Sequence, residues 1–352
     1  MKRAGIVCAA VAMLLCAAGR ARGDAASEWQ EIEAMDKSGP QQQQWQSREE
    51  AEAGTIDFLA KQEQTLRMFI SAYPSDAHTP DAKMRLAHLL ATRADIEQNP
   101  LERRASDAML DELEKDPAMK DRRADVEFAR ISIFMQRVDS LTGANRDALL
   151  ERARAYAKQF PDDRRVAALL AEVASAFEDE PKTARSLLEE ALPKADAAEL
   201  KSRITDDLKR LALLGQPLEM QWTAVDGTQI DLRKLHGKVV LIYFFASWSS
   251  PSMIGLDWVR QLAAHYPAES LQAIGICLDK DPVQVPAMLS DHQITWPVYC
   301  DGDGWQGQLV RSLGINALPA LWILDRDGVL RTLDAKNDAP ALIEQAARNS
   351  GE

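Results

Sequence analysis

The stretch Lys238–Ser252 reads KVVLIYFFASWSSPS and decides the fold of the C-terminal part of the chain. Its run of apolar residues at 239–246 is typical of a strand that is buried on both faces. Ser249 then stands where serine is favoured as the cap of a following helix, and residues 252–265 have helical character. A fully buried strand that leads directly into a helix predicts an α/β sheet.

The residues around this stretch extend the same alternation. Further strand-like runs lie at 218–224, 229–232, 271–279, 318–325 and 329–333, and helical segments lie at 252–265, 282–292, 305–313 and 339–348. Strands that alternate with helices predict a sheet covered on both faces. The pattern begins after Leu214-Gly215-Gln216-Pro217, so we predict an α/β domain over residues 215–352.

The preceding residues, 47–214, have helical periodicity almost throughout and predict an all-α domain. Pro74, Pro117 and Pro161 end helices at spacings of 43 and 44 residues. Each interval holds two helices and a turn, which favours a stack of helical hairpins. The Phe/Tyr-Pro-x-Asp breaks resemble those of tetratricopeptide proteins of bacterial envelopes. The alternative is an irregular helical bundle without a binding surface.

The N-terminus predicts export. Residues 1–23 combine Lys2 and Arg3, an apolar run at 6–18 and small residues near Ala21, which is the pattern of a signal peptide. Lipidation at Cys16 is disfavoured because the preceding Leu15 is large. We expect residues 24–46, which are polar, to be a flexible lead-in. The rest of the chain has no apolar run long enough to span a membrane, so we expect a periplasmic or cell-envelope protein.

Charge and composition disfavour several classes of function. The chain has a formal net charge of −12 and both halves are acidic, which opposes binding to nucleic acid or anionic lipid. No phosphate-binding glycine loop is present, and the histidines lack ligand-like spacing (His78, His88, His236, His265 and His292). We therefore expect neither a metal nor another cofactor.

Three segments together identify a family resemblance. Residues 232–242, 244–252 and 314–328 resemble the TlpA-like redoxin (AhpC/TSA-related) branch of the thioredoxin superfamily. The resemblance implies a thioredoxin-like fold and, at family level, thiol-disulfide oxidoreductase activity. Active relatives carry Trp-Cys-x-x-Cys after the first buried strand, whereas Ser249 and Ser252 hold the two cysteine positions here. Two serines cannot form a disulfide, so we expect the active site to be degenerate, with no catalytic residue assigned.

The same resemblance implies a binding groove. Pro319 matches the family's cis-proline, and Trp248 matches the tryptophan before the first cysteine. Together with Ser249 and Leu318 they form the candidate groove for an extended polypeptide. The alternative is that Trp248 and Pro319 only support the fold. Tyr243 stands where thioredoxins proper carry a buried aspartate.

Cys277 and Cys300 lie outside the position of the family dithiol, each shortly before an aspartate. In redoxins these two segments end near one another, so the resemblance implies a possible structural disulfide in an oxidising compartment. Two small buried thiols are the alternative, and a redox-active pair is a third.

These observations lead to three hypotheses of function. The first is a non-enzymatic protein of the cell envelope that binds or scaffolds other envelope polypeptides. The second is a thiol-disulfide oxidoreductase or antioxidant redoxin of the TlpA type that acts through Cys277 and Cys300. The third is a purely structural module of a larger secreted assembly.

Overall fold

The computed structural model describes residues 24–39, 47–136, 143–335 and 338–348. The chain divides into two compact units, Met1–Arg137 and Val138–Glu352. The predicted signal peptide and residues 40–46 of the predicted lead-in lie outside the described residues. The division falls within the helical part of the chain, while the predicted boundary at 214/215 coincides with the change from helices to strands.

The first unit is helical. Polar caps begin several of its helices: the side chain of Asp24 accepts a hydrogen bond from the backbone N–H of Ser27, and Asn99 caps the N–H of Leu101 just before a proline-led helix. The helices are α1 (Ala25–Ser38), α2 (Arg48–Ala72), α3 (Thr79–Ile96), α4 (Pro100–Lys115) and α5 (Arg123–Met135).

Helix α1 differs from the prediction of a flexible lead-in. Trp29 and Ile32 lie one turn apart on one face of α1 and are buried with Phe69 and Leu86 from α2 and α3. The Trp29 ring also stacks on the ring of His78 at 4.7 Å between centroids. Two large apolar side chains therefore hold this segment in the core of the unit, although its composition is polar.

The second unit begins with four helices, α6 (Gly143–Gln159), α7 (Val166–Ser175), α8 (Pro181–Ala191) and α9 (Ala198–Leu213). Helix α7 is short, and seven of its ten residues are buried. Helices α8 and α9 follow it, and each helix packs against the next one in the chain. The predicted helical character of residues 47–214 is confirmed in the described part of this region. The repeat of helical hairpins stays a prediction.

A mixed sheet, the helices that cover it and a separate pair of strands form the rest of the second unit. Its central strand β3 (Val239–Phe245) is buried at every position, as the apolar run predicts. The elements in chain order are β1 (Gln221–Thr223), β2 (Gln229–Asp231), β3, α10 (Ser250–Ala264), β4 (Leu271–Cys277), α11 (Val285–Asp291), β5 (Val298–Tyr299), α12 (Gln308–Ser312), β6 (Ala320–Leu324), β7 (Leu330–Thr332) and α13 (Ala339–Arg348).

The order of strands in the five-stranded sheet is β5-β4-β3-β6-β7, and β1 and β2 form a separate antiparallel pair. Strands β3, β4 and β5 are parallel, whereas β6 is antiparallel to β3 and β7 is antiparallel to β6. On one face of the sheet, side chains of β3 and β4 pack with Leu256 of α10, Leu289 of α11 and Ile343 of α13. This arrangement confirms the predicted thioredoxin-like α/β fold.

Candidate functional site at the carboxyl edge of the parallel strands

The three parallel strands end at one edge of the sheet, and the candidate site residues lie there. Phe245 of β3 pairs with Cys277 of β4, and Phe244 pairs with Ala320 at the start of β6. Continuing the β3–β6 register by one step places Pro319 beside Phe245. We define the carboxyl edge as the loops that follow β3, β4 and β5 together with the loop before β6, residues 246–249, 278–284, 300–307 and 314–319.

The loop after β3 is held from both of its ends. The backbone N–H of Ser247 donates to Oδ1 of the buried Asp279 at 2.9 Å. Ser249 is the N-cap of α10, and its side chain accepts a hydrogen bond from the N–H of Ser252 at 3.4 Å. The predicted capping role of Ser249 is confirmed. Between these anchors, the side chain of Trp248 is directed outward, and 60% of the residue is exposed.

Ser252, at the second cysteine position, is fully buried, and its hydroxyl has no hydrogen-bond partner among the described residues. The backbone carbonyl of Ser252 accepts a hydrogen bond from the Tyr243 hydroxyl at 2.7 Å. Burial raises the pKa of Tyr243, so this phenol is a neutral donor. Gly255 makes room for it, since a Cβ there would lie 2.2 Å from the Tyr243 oxygen. Tyr243 therefore fixes the first turn of α10.

A serine nucleophile needs a base in hydrogen-bond reach. In the parts of the chain described above, neither Ser249 nor Ser252 makes a hydrogen bond with a histidine. His265 contacts the backbone oxygen of Gln261, and His292 pairs with Asp257 at 3.1 Å. The Ser249 hydroxyl thus caps α10 and the Ser252 hydroxyl is buried, and the arrangement supplies no activated nucleophile at residues 249 and 252.

The loop before β6 contains the cis bond that the resemblance implies, between Leu318 and Pro319. Both residues are half-buried. The pairing of β6 with β3 places them next to the end of β3, on the opposite side of that strand from β4. Trp248, Ser249, Leu318 and Pro319 therefore all lie in the loops of the carboxyl edge, and the groove that they would form stays a prediction.

Helix α9 forms hydrogen bonds with Gly314 and Asn316, which lie in the loop before this cis bond. The Arg210 guanidinium donates to the carbonyl oxygen of Gly314 at 3.2 Å and to Oδ1 of Asn316 at 2.9 Å. The amide of Asn316 donates in turn to Asp207 at 2.7 Å. Gly314 has φ of +69°, and a Cβ there would lie 2.3 Å from the backbone oxygen of Asp206. The backbone of the loop therefore approaches α9 as closely as glycine permits.

We call the contacts of Arg210 with Gly314 and Asn316 the Arg210 clamp. A small cavity of about 100 Å³ lies between this clamp and Pro319. Glu178 lines it and accepts a hydrogen bond from Arg210 at 3.2 Å. Burial raises the pKa of Glu178, while the neighbouring Arg210 opposes that rise. Sequence reasoning missed this cluster, because residues 178, 210 and 316 are far apart in the chain and neither Glu178 nor Arg210 stands in a motif.

Trp305 is a second aromatic residue at the carboxyl edge, beside Trp248, and sequence reasoning missed it. It follows β5 in a short 3-10 turn at Gly304–Gln306, and 37% of the residue is exposed. Its ring lies 6.4 Å from that of Trp248, with 56° between the planes. The available signal was a tryptophan directly after the Asp-Gly-Asp-Gly turn at 301–304. The two rings form a partly exposed aromatic pair.

Cys277 and Cys300 are neighbours across β4 and β5. Ile276 pairs with Tyr299, so one further step of the register places Cys300 beside Cys277. Both are free thiols here; Cys277 is buried and Cys300 is half-buried. The Cys300 thiol donates to the backbone oxygen of Asp279 at 3.4 Å. The disulfide between them stays a prediction, and the neighbouring placement on which it depends is present.

Two further features bear on the class of site. In the described segments, no three His, Cys, Asp or Glu side chains converge in a way that would hold a metal ion. None of the described helices combines the length and the apolar character needed to cross a membrane.

Comparison with known proteins agrees with the fold. Residues 211–347 match the Redoxin family model, so the C-terminal region is a Redoxin domain. The chain is 24% identical over 106 residues to a thiol-disulfide oxidoreductase ResA of Bacillus thuringiensis subsp. konkukian, and 25% identical over 107 residues to that of Bacillus anthracis. Each match covers 30% of this chain and 60% of the relative.

Solved structures include a similar thiol:disulfide interchange protein of the thioredoxin family from Chlorobium tepidum TLS. It is 19% identical, with a TM-score of 0.33, and the match covers 38% of this chain and 95% of that one. The helical residues before 211 lie outside the Redoxin match. The tetratricopeptide-like resemblance of that region stays a prediction.

Proposed function

We propose that this chain is an exported protein of the cell envelope that binds extended segments of other polypeptides at its carboxyl edge. The observation that carries the proposal is the partly exposed aromatic pair, Trp248 with Trp305, on the same edge of the sheet as the cis Leu318–Pro319 bond. Exposed tryptophans cost solubility, and they are frequent anchors of protein interfaces. A polypeptide is the ligand class that uses both an aromatic anchor and an adjacent strand edge.

The backbone before Pro319 supplies the second half of the proposed recognition. Leu318 is half-buried and lies two residues before Ala320, the first residue of β6. Its peptide groups therefore lie at the end of the hydrogen-bond ladder between β3 and β6. An extended segment that pairs there gains main-chain hydrogen bonds, while its side chains contact Trp248. The Arg210 clamp on residues 314 and 316 favours this role, because it holds the loop in place before a partner arrives.

The proposal assigns no dithiol chemistry to residues 249 and 252. Ser249 caps helix α10 and Ser252 is buried in its first turn, so both side chains have structural roles. Binding is then the property that this edge retains. The acidic charge of the chain favours partners that carry basic residues near an apolar side chain.

The test uses a reduced and carboxymethylated polypeptide that stays unfolded and contains no disulfide. We expect Trp248→Ala to weaken its binding roughly tenfold, because truncation of a tryptophan anchor typically costs more than 1 kcal/mol. Leu318→Asp should weaken binding as well, since it places a charge beside the pairing backbone. Binding is measured by fluorescence anisotropy of the labelled polypeptide, and folding is checked by circular dichroism.

The matched control is Leu101→Ala, which removes an exposed apolar side chain, 69% exposed, from helix α4. It should leave the affinity unchanged. If Trp248→Ala and Leu318→Asp both fold and bind as tightly as the unmodified chain, the carboxyl edge is not the binding surface. Any binding that remains would then have to be assigned to residues 47–214.

A further inference from the structure

The chain carries a pair of neighbouring thiols, Cys277 at the end of β4 and Cys300 in the carboxyl edge, displaced from the positions of Ser249 and Ser252. Strand β4 lies directly beside β3, and Cys277 pairs with Phe245 at the end of β3. Cys300 lies one strand farther out. Neighbouring strands are about 4.8 Å apart, and disulfides join Cα atoms about 4.4–6.8 Å apart. The register therefore places the two cysteines within bridging reach.

The two thiols have unequal environments. Cys277 is 2% exposed and belongs to the core cluster of the sheet, whereas Cys300 is half-buried and packs at the margin of that cluster. An attacking thiol must reach a reactant, and a resolving thiol only has to reach its neighbour. Exposure thus assigns the first role to Cys300 and the second to Cys277.

We propose that Cys300 and Cys277 form a thiol–disulfide exchange site, in which Cys300 attacks a disulfide and Cys277 resolves the mixed disulfide that results. The reactant is a disulfide small enough or extended enough to reach Cys300 beside the Trp305 loop. This inference goes beyond the proposed binding function and does not depend on it.

Hydrogen bonds around Cys300 support the assignment. A hydrogen bond from the Cys277 thiol, aided by the backbone N–H of Gly302, lowers the pKa of Cys300, although burial and the nearby Asp279 and Asp301 act against it. The hydrogen bond with Cys300, followed by burial, raises the pKa of Cys277. The thiolate is the reactive form of cysteine, so the more exposed sulfur is also the more easily ionised one.

The exchange balances as follows. The Cys300 thiolate attacks one sulfur of the reactant, the reactant's S–S bond breaks, and one thiolate leaves. Cys277 then gives up its proton, and its sulfur attacks Sγ of Cys300. The Cys277–Cys300 bond forms, and the second thiolate of the reactant leaves. Two electrons pass from the pair to the reactant, and the two protons of the thiols end on the two leaving groups.

The experiment uses the full chain with Cys8→Ser and Cys16→Ser, so that only Cys277 and Cys300 remain. The folded protein is incubated with glutathione disulfide and its mass is measured. We expect both thiols to disappear without a bound glutathione, because the pair forms its own disulfide. Reduced glutathione in excess should restore both thiols.

Two variants separate the roles. Cys277→Ser should retain one glutathione on Cys300, because the resolving sulfur is absent, while Cys300→Ser should stay unmodified when folded. Iodoacetamide should alkylate Cys300 roughly tenfold faster than Cys277 at neutral pH. Cys277→Ala and circular dichroism show whether loss of the buried thiol alters folding.

Three outcomes would overturn the proposal. The first is that both thiols of the folded protein persist in glutathione disulfide, and the second is that Cys300→Ser acquires the adduct on Cys277. The third is a bond between the two cysteines that reduced glutathione leaves intact in the folded protein, which is the behaviour of a structural disulfide. Binding of the carboxymethylated polypeptide is scored separately, since it involves no thiol.

Discussion

Replacement of Arg210 by methionine tests whether helix α9 holds the loop that leads to Pro319. The Arg210 side chain is only 14% exposed and contacts two carboxylates, Asp207 at 2.8 Å and Glu178 at 3.2 Å. It also donates to the loop at Gly314 and Asn316. Methionine retains much of the apolar stem but removes the charge and every donor.

The expected cost follows from these contacts. Removal of one partner of a fully buried ion pair costs about 3–5 kcal/mol. Here the side chain of Asp207 is 12% exposed and that of Glu178 is 34% exposed, so water compensates part of the loss. We expect Arg210→Met to lower the free energy of unfolding by about 2–3 kcal/mol. The deficit should shrink as the pH falls, because protonation neutralises Glu178. Since burial raises the pKa of Glu178 above its ordinary value of 4.5, this change should begin above pH 4.5.

Urea denaturation followed by circular dichroism measures the change. The matched control is Lys209→Met on the same helix, whose ammonium pairs with Asp206 while 47% of its side chain is exposed. Exposed pairs contribute about 0–1 kcal/mol, so this variant should be nearly neutral. Adding Asp207→Asn to Arg210→Met should recover part of the loss. Equal unfolding free energies for Arg210→Met and Lys209→Met would refute the clamp.

Two further predictions concern stability. Ser252→Ala should raise the free energy of unfolding by about 1 kcal/mol, because it removes a buried hydroxyl that has no partner in the described part of the chain. An equal or lower value in urea denaturation would contradict this. Hydrogen bonds from Arg165 lower the pKa of Asp163 from 3.8 to about 2. Since the folded-state value is the lower one, the stabilisation is complete above about pH 4 and is lost towards pH 2, a change of roughly 2 kcal/mol. Thermal unfolding of Asp163→Asn should lack this decline, and an unchanged acid profile would argue against it.

The sheet and the cis-proline loop were predictable because their signals are local. The apolar run at 239–246 is buried at every position, and the residues around Ser249 and Pro319 form short motifs at fixed spacing. A fully buried strand and a helix cap each depend on a few consecutive residues. The family resemblance adds the expectation of a thioredoxin-like fold, and the observed five-stranded mixed sheet agrees with it.

Helix α1 and the Arg210 clamp were not predictable in the same way. Trp29 and Ile32 are two of the few large apolar residues in a polar segment, and their partners lie on later helices. Arg210 finds two of its acceptors, Gly314 and Asn316, more than 100 residues farther along the chain. Such contacts depend on how elements pack, and periodicity within one element carries no information about them.

The position of Cys300 shows how packing far from any motif can create a site. Strand β5 has only two residues, so few backbone hydrogen bonds fix its register against β4. Gly275 lies opposite Val298, and a Cβ there would lie 2.8 Å from Cγ2 of Val298. The valine occupies the space that the missing side chain leaves, and a shift of one residue would turn it to the other face of the sheet. The fit of Val298 against Gly275 therefore fixes the register that brings Cys300 beside Cys277, and the proposed exchange site depends on this packing contact.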